Sequence, residues 1–280
     1  MSKSSRAFVS PAKINLFLRI LSKRADGYHE LASLFQAIDL HDTLFFSFAS
    51  QDEITCSDKG LCLDASNTVV RALALFRQKT GHKFSISIHL DKRIPSESGL
   101  GGASSNCATT LWALNQLCGT QIPSATLAAW SGEISADAPF FFSTGTAYCC
   151  GIGEKIEQVA PLASLRGQTI SLFKPEEGLS TAKIFSTLTL DHLSSISPEK
   201  LLHSFVLGVP QFVNDLEVVA GQLCPKLKIL KERLPSPSFM TGSGTTFCYL
   251  GEVSDPVLGI EPIQTLSLNR SPDTWWQAKG

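Results

Sequence analysis

The chain has no surplus of charge of either sign: 24 lysines and arginines stand against 25 aspartates and glutamates, a formal net charge of -1. Neutralising nucleic-acid phosphates takes a basic excess, so a nucleic-acid partner is disfavoured. A small anionic ligand needs only a local cluster of donors and stays open. No apolar run approaches the ~20 residues of a membrane span, and residues 136–142 are apolar but short and hold a proline. Residues 1–6 are polar and no apolar run follows before Pro11, so no signal peptide is expected. The eight cysteines form no C-x-x-C pair and no Cys/His cluster at ligand spacing. Reduced thiols in a cytoplasmic protein are therefore expected, not zinc or a disulfide framework. Two nucleotide signatures are also missing, the P-loop G-x-x-x-x-G-K-[ST] and the Rossmann G-x-G-x-x-G.

With 280 residues, 43% of them hydrophobic and 18% charged, the chain suits one large domain or two intimately packed ones. Residues 12–20 alternate: Ala12, Ile14, Leu16, Leu18 and Ile20 fall on one face, with Lys13, Asn15, Phe17 and Arg19 on the other. This predicts a strand with one buried face, placing Lys13 and Asn15 on the same side about 7 Å apart. Further strands are expected at 44–48, 84–90 and 168–173. Helices are expected at 67–77, capped by Ser66 or Asn67, at 103–117, from a Ser124 cap to 130, from Ser197-Pro198-Glu199, and at 214–220 and 225–234. Strands dominate the first half and helices the second, without βαβα alternation. The reading is α+β in two subdomains with a seam near residue 158. Residues 271–280 are polar apart from Trp275 and Trp276, which predicts a loose tail unless those rings dock.

The informative segment runs from Ile94 through Pro95, Ser96, Glu97, Ser98, Gly99, Leu100, Gly101, Gly102, Ala103, Ser104 and Ser105 to Asn106. It joins a strand to a helix start. A polyphosphate requires converging N–H donors and close backbone approach, which glycine permits, and the helix N-terminus adds unpaired amides and its dipole. Ser104 or Ser105 could offer a hydroxyl to the phosphates or to Mg²⁺. A lone G-x-G-G would more simply be a turn that starts a helix; the length of the run favours phosphate.

These residues resemble the ATP loop of the GHMP kinases. The segment Ser10-Pro11-Ala12-Lys13-Ile14-Asn15-Leu16 is similar to that superfamily's first motif, and Thr241-Gly242-Ser243-Gly244 to its third. Residues 24–29, 91–95, 136–141 and 214–217 resemble the branch acting on a cytidine-diphosphate-linked polyol, and the likeness extends over about residues 8–250. It implies a ribosomal-protein-S5-like ATP-binding domain at 1–158 and a ferredoxin-like C-terminal domain at 159–280. It also implies ATP and Mg²⁺, with no obligate protein partner. Asp137 would be the catalytic base, contacted by Lys13; from local pattern alone Asp137 would be a turn cap and Lys13 an exposed edge lysine. Tyr28 and His29, on a loop after Asp26-Gly27, would recognise cytosine, with Phe185 as the opposite wall and Asn15 beside the substrate. Asn67 and Lys92 would line the adenine pocket, and Gly242 and Gly244 would lie near the phosphates. Asn67 is equally a helix cap, Lys92 a turn lysine and Phe185 a core aromatic. One departure is Ser96-Glu97-Ser98, where the family usually carries glycines; Glu97 brings a carboxylate to a triphosphate unless it faces solvent or helps hold Mg²⁺. The competing readings are a homoserine- or mevalonate-type kinase, for which Tyr28-His29 would have no base to stack on, and a non-catalytic nucleotide-binding regulator.

Overall fold

The computed structural model describes residues 5–277. Most of the polar start at 1–6 and the last three residues of the tail lie outside that range. β1 (Arg6–Lys23) and β2 (His29–Phe48) form a long antiparallel pair across the Asp26-Gly27 turn. The expected single buried face is corrected here, because Lys13 and Asn15 are as buried as Ala12 and Ile14. The register slips between Pro11 and Ala12, Asn15 and Phe17, and Ile20 and Ser22. An inserted residue exchanges a strand's inward and outward parity. Lys13, Asn15 and Leu18 consequently line one cavity, while the adjacent Leu16 and Phe17 share one apolar cluster.

The rest of the first sheet follows as β3 (Glu53–Cys56), β4 (Ile86–Asp91), β5 (Thr146–Gly151) and β6 (Lys155–Gln158). Its order is β3-β4-β2-β5-β6, with β1 on β2. Between these strands lie α1 (Thr68–Thr80), α2 (Gly102–Cys118), α3 (Ser124–Gly132) and a 3-10 turn at Ala138–Phe142. Asn67 caps α1 by accepting from the Val69 amide, and left-handed Gly81 ends it. Ser124 is the first residue of α3 and not its cap, since Pro123 holds the preceding extended position. Val69 and Phe76 of α1 and Leu111 and Leu114 of α2 bury against Leu44, Phe46 and Ile88 of the sheet.

A second, antiparallel sheet has the order β10-β7-β9-β8, from β7 (Thr169–Phe173), β8 (Ser238–Met240), β9 (Phe247–Leu250) and β10 (Ile263–Leu266). Helices α4 (Thr181–Thr187), α5 (Pro198–Val206), α6 (Glu217–Leu223) and α7 (Pro225–Arg233) accompany it. The expected strand-rich first half and helix-rich second half are thus corrected: both halves are mixed. The strand expected at 168–173 is there as β7, but four-residue strands such as β6 and β10 carried too little alternation to be seen. The helix expected at 214–220 starts only at Glu217, because Asn214 pairs with Leu18 of β1, whose N–H donates to the Val213 carbonyl and whose carbonyl accepts from the Asp215 amide. Ser197 caps α5 with Pro198 behind it, as the pattern predicted.

Ile14 and Leu16 of the first sheet share a cluster with Ile170, Leu172 and Phe239 of the second, so the two sheets bury one another. The tail returns to the first sheet and its tryptophans dock. Trp275 stacks on Trp112 at 5.0 Å, and the indole N–H groups donate to the Val9 and Phe141 carbonyls. Among the described residues no helix is long and apolar enough to cross a membrane.

Candidate active site

A cavity of 1160 Å³ is lined by β1 and β2, the 95–106 segment, Asp137, α4 and the 242–244 loop. On its floor Lys13 Nζ lies 3.3 Å from Asp137 Oδ2. Lys13 is only 2% exposed, and a buried ammonium requires partners. It has three: the carboxylate, Asn15 Oδ1 at 2.6 Å, and the face of Phe35 at 4.7 Å. The exposed-edge reading of Lys13 is therefore corrected. Asp137 holds the cap position of the 3-10 turn yet makes no side-chain cap bond, so the turn-cap alternative also fails. Gly153 leaves room for it, since a Cβ there would lie 3.1 Å from Asp137 Oδ1.

The glycines of the phosphate-loop candidate do separate jobs. Gly99 (φ +76°) faces the third-motif loop so closely that a Cβ would sit 2.3 Å from the Thr241 carbonyl oxygen. Gly242 mirrors it, 2.8 Å from the Gly99 carbonyl oxygen on the same measure. The two glycine loops touch backbone to backbone. Gly101 (φ +72°) makes room for Lys13, whose Cγ a Cβ would approach to 2.9 Å, and the Lys13 amide donates to the Leu100 carbonyl at 2.9 Å. Gly102 opens α2, which has no side-chain cap, leaving first-turn amides for a ligand.

Pro95, Ser96, Glu97, Ser98, Ala103 and Ser104 line the cavity beside these glycines, as does Gly244. Leu100 and Ser105 do not. Leu100 is fully buried in the core, and the Ser105 hydroxyl accepts from Ser10, whereas Ser104 shares a 2.7 Å bond with Ser135. Of the two serines considered for a metal, only Ser104 faces the cavity. Glu97 has a left-handed backbone (φ +50°) and lies against Gly178. Its charge is felt by Lys174, whose pKa burial lowers while Glu97 and Glu177 support the ammonium.

Asn67 and Lys92 line the far end. Lys92 is no plain turn lysine: its ammonium is ion-paired with Asp42, which is fully buried and accepts also from the Arg93 and Ile94 amides and from Asn106. At the opposite end Tyr28 is 60% exposed. His29 is corrected from loop to strand, being the first, buried residue of β2. Its ring lies 5.4 Å from that of Phe185, which also lines the cavity. Burial, and secondarily Lys23, hold the imidazole pKa below 6.5, so at neutral pH one ring nitrogen donates and the other accepts.

Residues 67–145 match the model described as the GHMP kinases N terminal domain. The 4-diphosphocytidyl-2-C-methyl-D-erythritol kinase of Protochlamydia amoebophila is 46% identical over 95% of this chain and 91% of its own. The chloroplastic enzyme of that name from Arabidopsis thaliana is 45% identical over 88% of this chain and 68% of its own. The chain belongs to the 4-diphosphocytidyl-2-C-methyl-D-erythritol kinase family. A crystal structure of a 4-(cytidine 5'-diphospho)-2C-methyl-D-erythritol kinase superposes with a TM-score of 0.78 at 28% identity, covering 95% of this chain and 100% of that one. The two-sheet α+β architecture is accordingly the GHMP kinase fold of this kinase family. Sequence reasoning missed Phe35, which lines the cavity, and Asp42 and Gly153, which respectively pair with Lys92 and leave room for Asp137. Asp42 stands close to Asp39 and His41 in a stretch of mixed polarity, which gave no local sign of its burial.

Proposed function

We propose that this chain transfers the γ-phosphoryl group of ATP to the 2-hydroxyl of 4-(cytidine 5'-diphospho)-2-C-methyl-D-erythritol, a step of non-mevalonate isoprenoid synthesis. The observation that carries this reading is the Lys13–Asp137 ion pair, its lysine buried, in a cavity that the glycine loop, Tyr28, His29 and Phe185 also line. Such transfer is largely positioning and charge stabilisation. Asp137 receives the hydroxyl proton, and Lys13 fixes the hydroxyl and offsets charge developing on its oxygen. Gly99, Gly101, Gly102 and the first amides of α2 cradle the phosphates, with Asn67 and Lys92 at the adenine. Asn15 orients the polyol, and Tyr28, His29 and Phe185 take the cytosine.

No three His, Cys, Asp or Glu side chains among the described residues form a metal-holding group. That donor set fits Mg²⁺, which binds through substrate phosphates, waters and one or two protein oxygens and not in an all-protein cage. Ser104, which lines the cavity, would supply such an oxygen, and the ion would neutralise phosphate charge. The same proposal divides the chain into an ATP-binding domain at 1–158 and a C-terminal domain at 159–280, and places it in the cytoplasm, where its eight free thiols suit a reducing medium. ADP formation with a panel of alcohols tests the function. Turnover with the CDP-linked polyol and not with homoserine or mevalonate is expected; the reverse pattern would overturn it.

A further inference from the structure

Asn15 holds Lys13 by its side-chain oxygen, and a side-chain amide can turn either way round. With the NH₂ end toward Lys13, two donors would face each other and the ammonium would lose its 2.6 Å partner. Something has to set the direction. Ser33, fully buried on β2, lies behind the amide. Its hydroxyl donates to the Phe17 carbonyl at 2.5 Å. With its one hydrogen committed there, Ser33 Oγ can only accept, and it accepts from Asn15 Nδ2 at 2.8 Å. Thr241 acts from the other side. Its oxygen accepts the Asn15 backbone N–H at 2.9 Å and its hydroxyl donates to Asn15 Oδ1 at 3.3 Å. A flipped amide would meet an acceptor at Ser33 and donors at both Lys13 and Thr241.

The chain of donors and acceptors therefore has one self-consistent direction, from Lys13 through Asn15 and Ser33 to the Phe17 carbonyl. The slip in register between Asn15 and Phe17 makes it possible, letting the backbone of the same strand serve both ends. We propose that Ser33 is a positioning residue for phosphoryl transfer: it orders the Asn15 amide so that Oδ1 always faces Lys13, with Thr241 fixing the same orientation from the third glycine loop. This rests on the kinase reading above, in which Lys13 acts on the reacting hydroxyl. Ser33 itself is not among the cavity-lining residues, so a change there should reach the chemistry without touching either ligand.

The test is Ser33→Ala, measured as the single-turnover rate constant at saturating ATP and CDP-linked polyol, beside the Kd of each. Expected is a loss of about tenfold, below the ~10²-fold that a full ångström of misplacement costs, with the Kd of ATP unchanged. A reduced amplitude at an unchanged rate constant would mean only a smaller folded fraction and would overturn the proposal. Ser33→Thr keeps the hydroxyl and should recover most of the rate. If Ser33→Ala fails to fold, Thr241→Val, which keeps shape and loses the hydroxyl, is expected to slow the same step; an unchanged rate constant there would sink the idea. A readout free of turnover separates this from the functional reading. The Asn15 side-chain amide protons should be protected from exchange in the wild type and lose protection in Ser33→Ala. Wild-type protein with no kinase activity but with that protection would sink the kinase reading and leave the hydrogen-bond order standing.

Discussion

The two ends of the substrate cavity are built on different terms. At the chemical end, Lys13, Asp137 and Asn15 sit on β1 or against it, and the side-chain polar atoms of the lysine and asparagine all have partners, Asp137 for the ammonium and buried Ser33 and Thr241 for the asparagine among them. The base-recognition end has an exposed tyrosine after a glycine turn, and a phenylalanine on the seven-residue α4. Its one ring contact is between His29 and Phe185. A site that must hold reacting atoms to fractions of an ångström is made from strands and a closed hydrogen-bond network. The end proposed to take a flat base joins a glycine turn, the first residue of β2 and a short helix.

The sharpest way to break this comparison is at the chemical end. Asp137→Asn should fold and bind both ligands but lose ~10²–10⁴-fold in single-turnover rate, the usual share of a general base. Lys13→Met should match it, and the double variant should fall far short of the product, because the two act as a unit. A near wild-type rate for Asp137→Asn would leave the carboxylate without a catalytic part.

Next in size is Gly101→Val. Its left-handed backbone and the 2.9 Å approach to Lys13 mean that a branched side chain pushes the ammonium aside. We expect about 10²-fold loss of kcat together with weaker ATP binding, seen by calorimetry and stopped flow. Gly102→Val, which meets Ile94 and Lys92 instead, should weaken ATP binding and leave substrate affinity alone.

At the recognition end the effects shrink and move from rate to affinity. Phe185→Ala should remove a stacking wall worth ~1–3 kcal/mol per base, raising the Kd of the CDP-linked substrate with single-turnover rate at saturation intact. An equal loss in rate would mean that the two ends are not separable.

The smallest effect is pH dependence. His29 titrates below its ordinary 6.5 through burial first and Lys23 second. The unfolded chain thus takes up that proton more readily than the folded one. The stabilisation is complete above about pH 6.5 and is lost as pH falls through the folded value. Substrate affinity and thermal stability should both decline as pH falls below about 6.5, and His29→Asn should flatten that component. A slope unchanged in the variant would assign it elsewhere.

Much of this site could be read from the chain. The run from Pro95 to Asn106 announces a strand, a glycine loop and a helix start, and those occur within a residue or two of expectation, because glycine, proline and caps act locally. Ser197-Pro198 did the same for α5. The strands β5, β6 and β10 stayed hidden, as four to six residues of mixed polarity carry no periodic signal of their own. Lys13 looked like a surface lysine for a related reason: alternation reports parity along a strand, not whether the second face is covered.

Local chemistry along the chain thus decided where the loops turn, which helix begins at the phosphate-loop candidate, and, through the motifs, which family the chain belongs to. Folding decided the rest. The register slip after Asn15 reset which side chains face the cavity, and 124 positions of chain separate Lys13 from the Asp137 it touches. Gly99 and Gly242 are needed because two loops, distant in sequence, press backbone on backbone. Ser33 orders an amide it meets only across a strand pair. Each of these is a contact between residues far apart in the chain, set by packing and hydrogen-bond direction, and no local pattern encodes it.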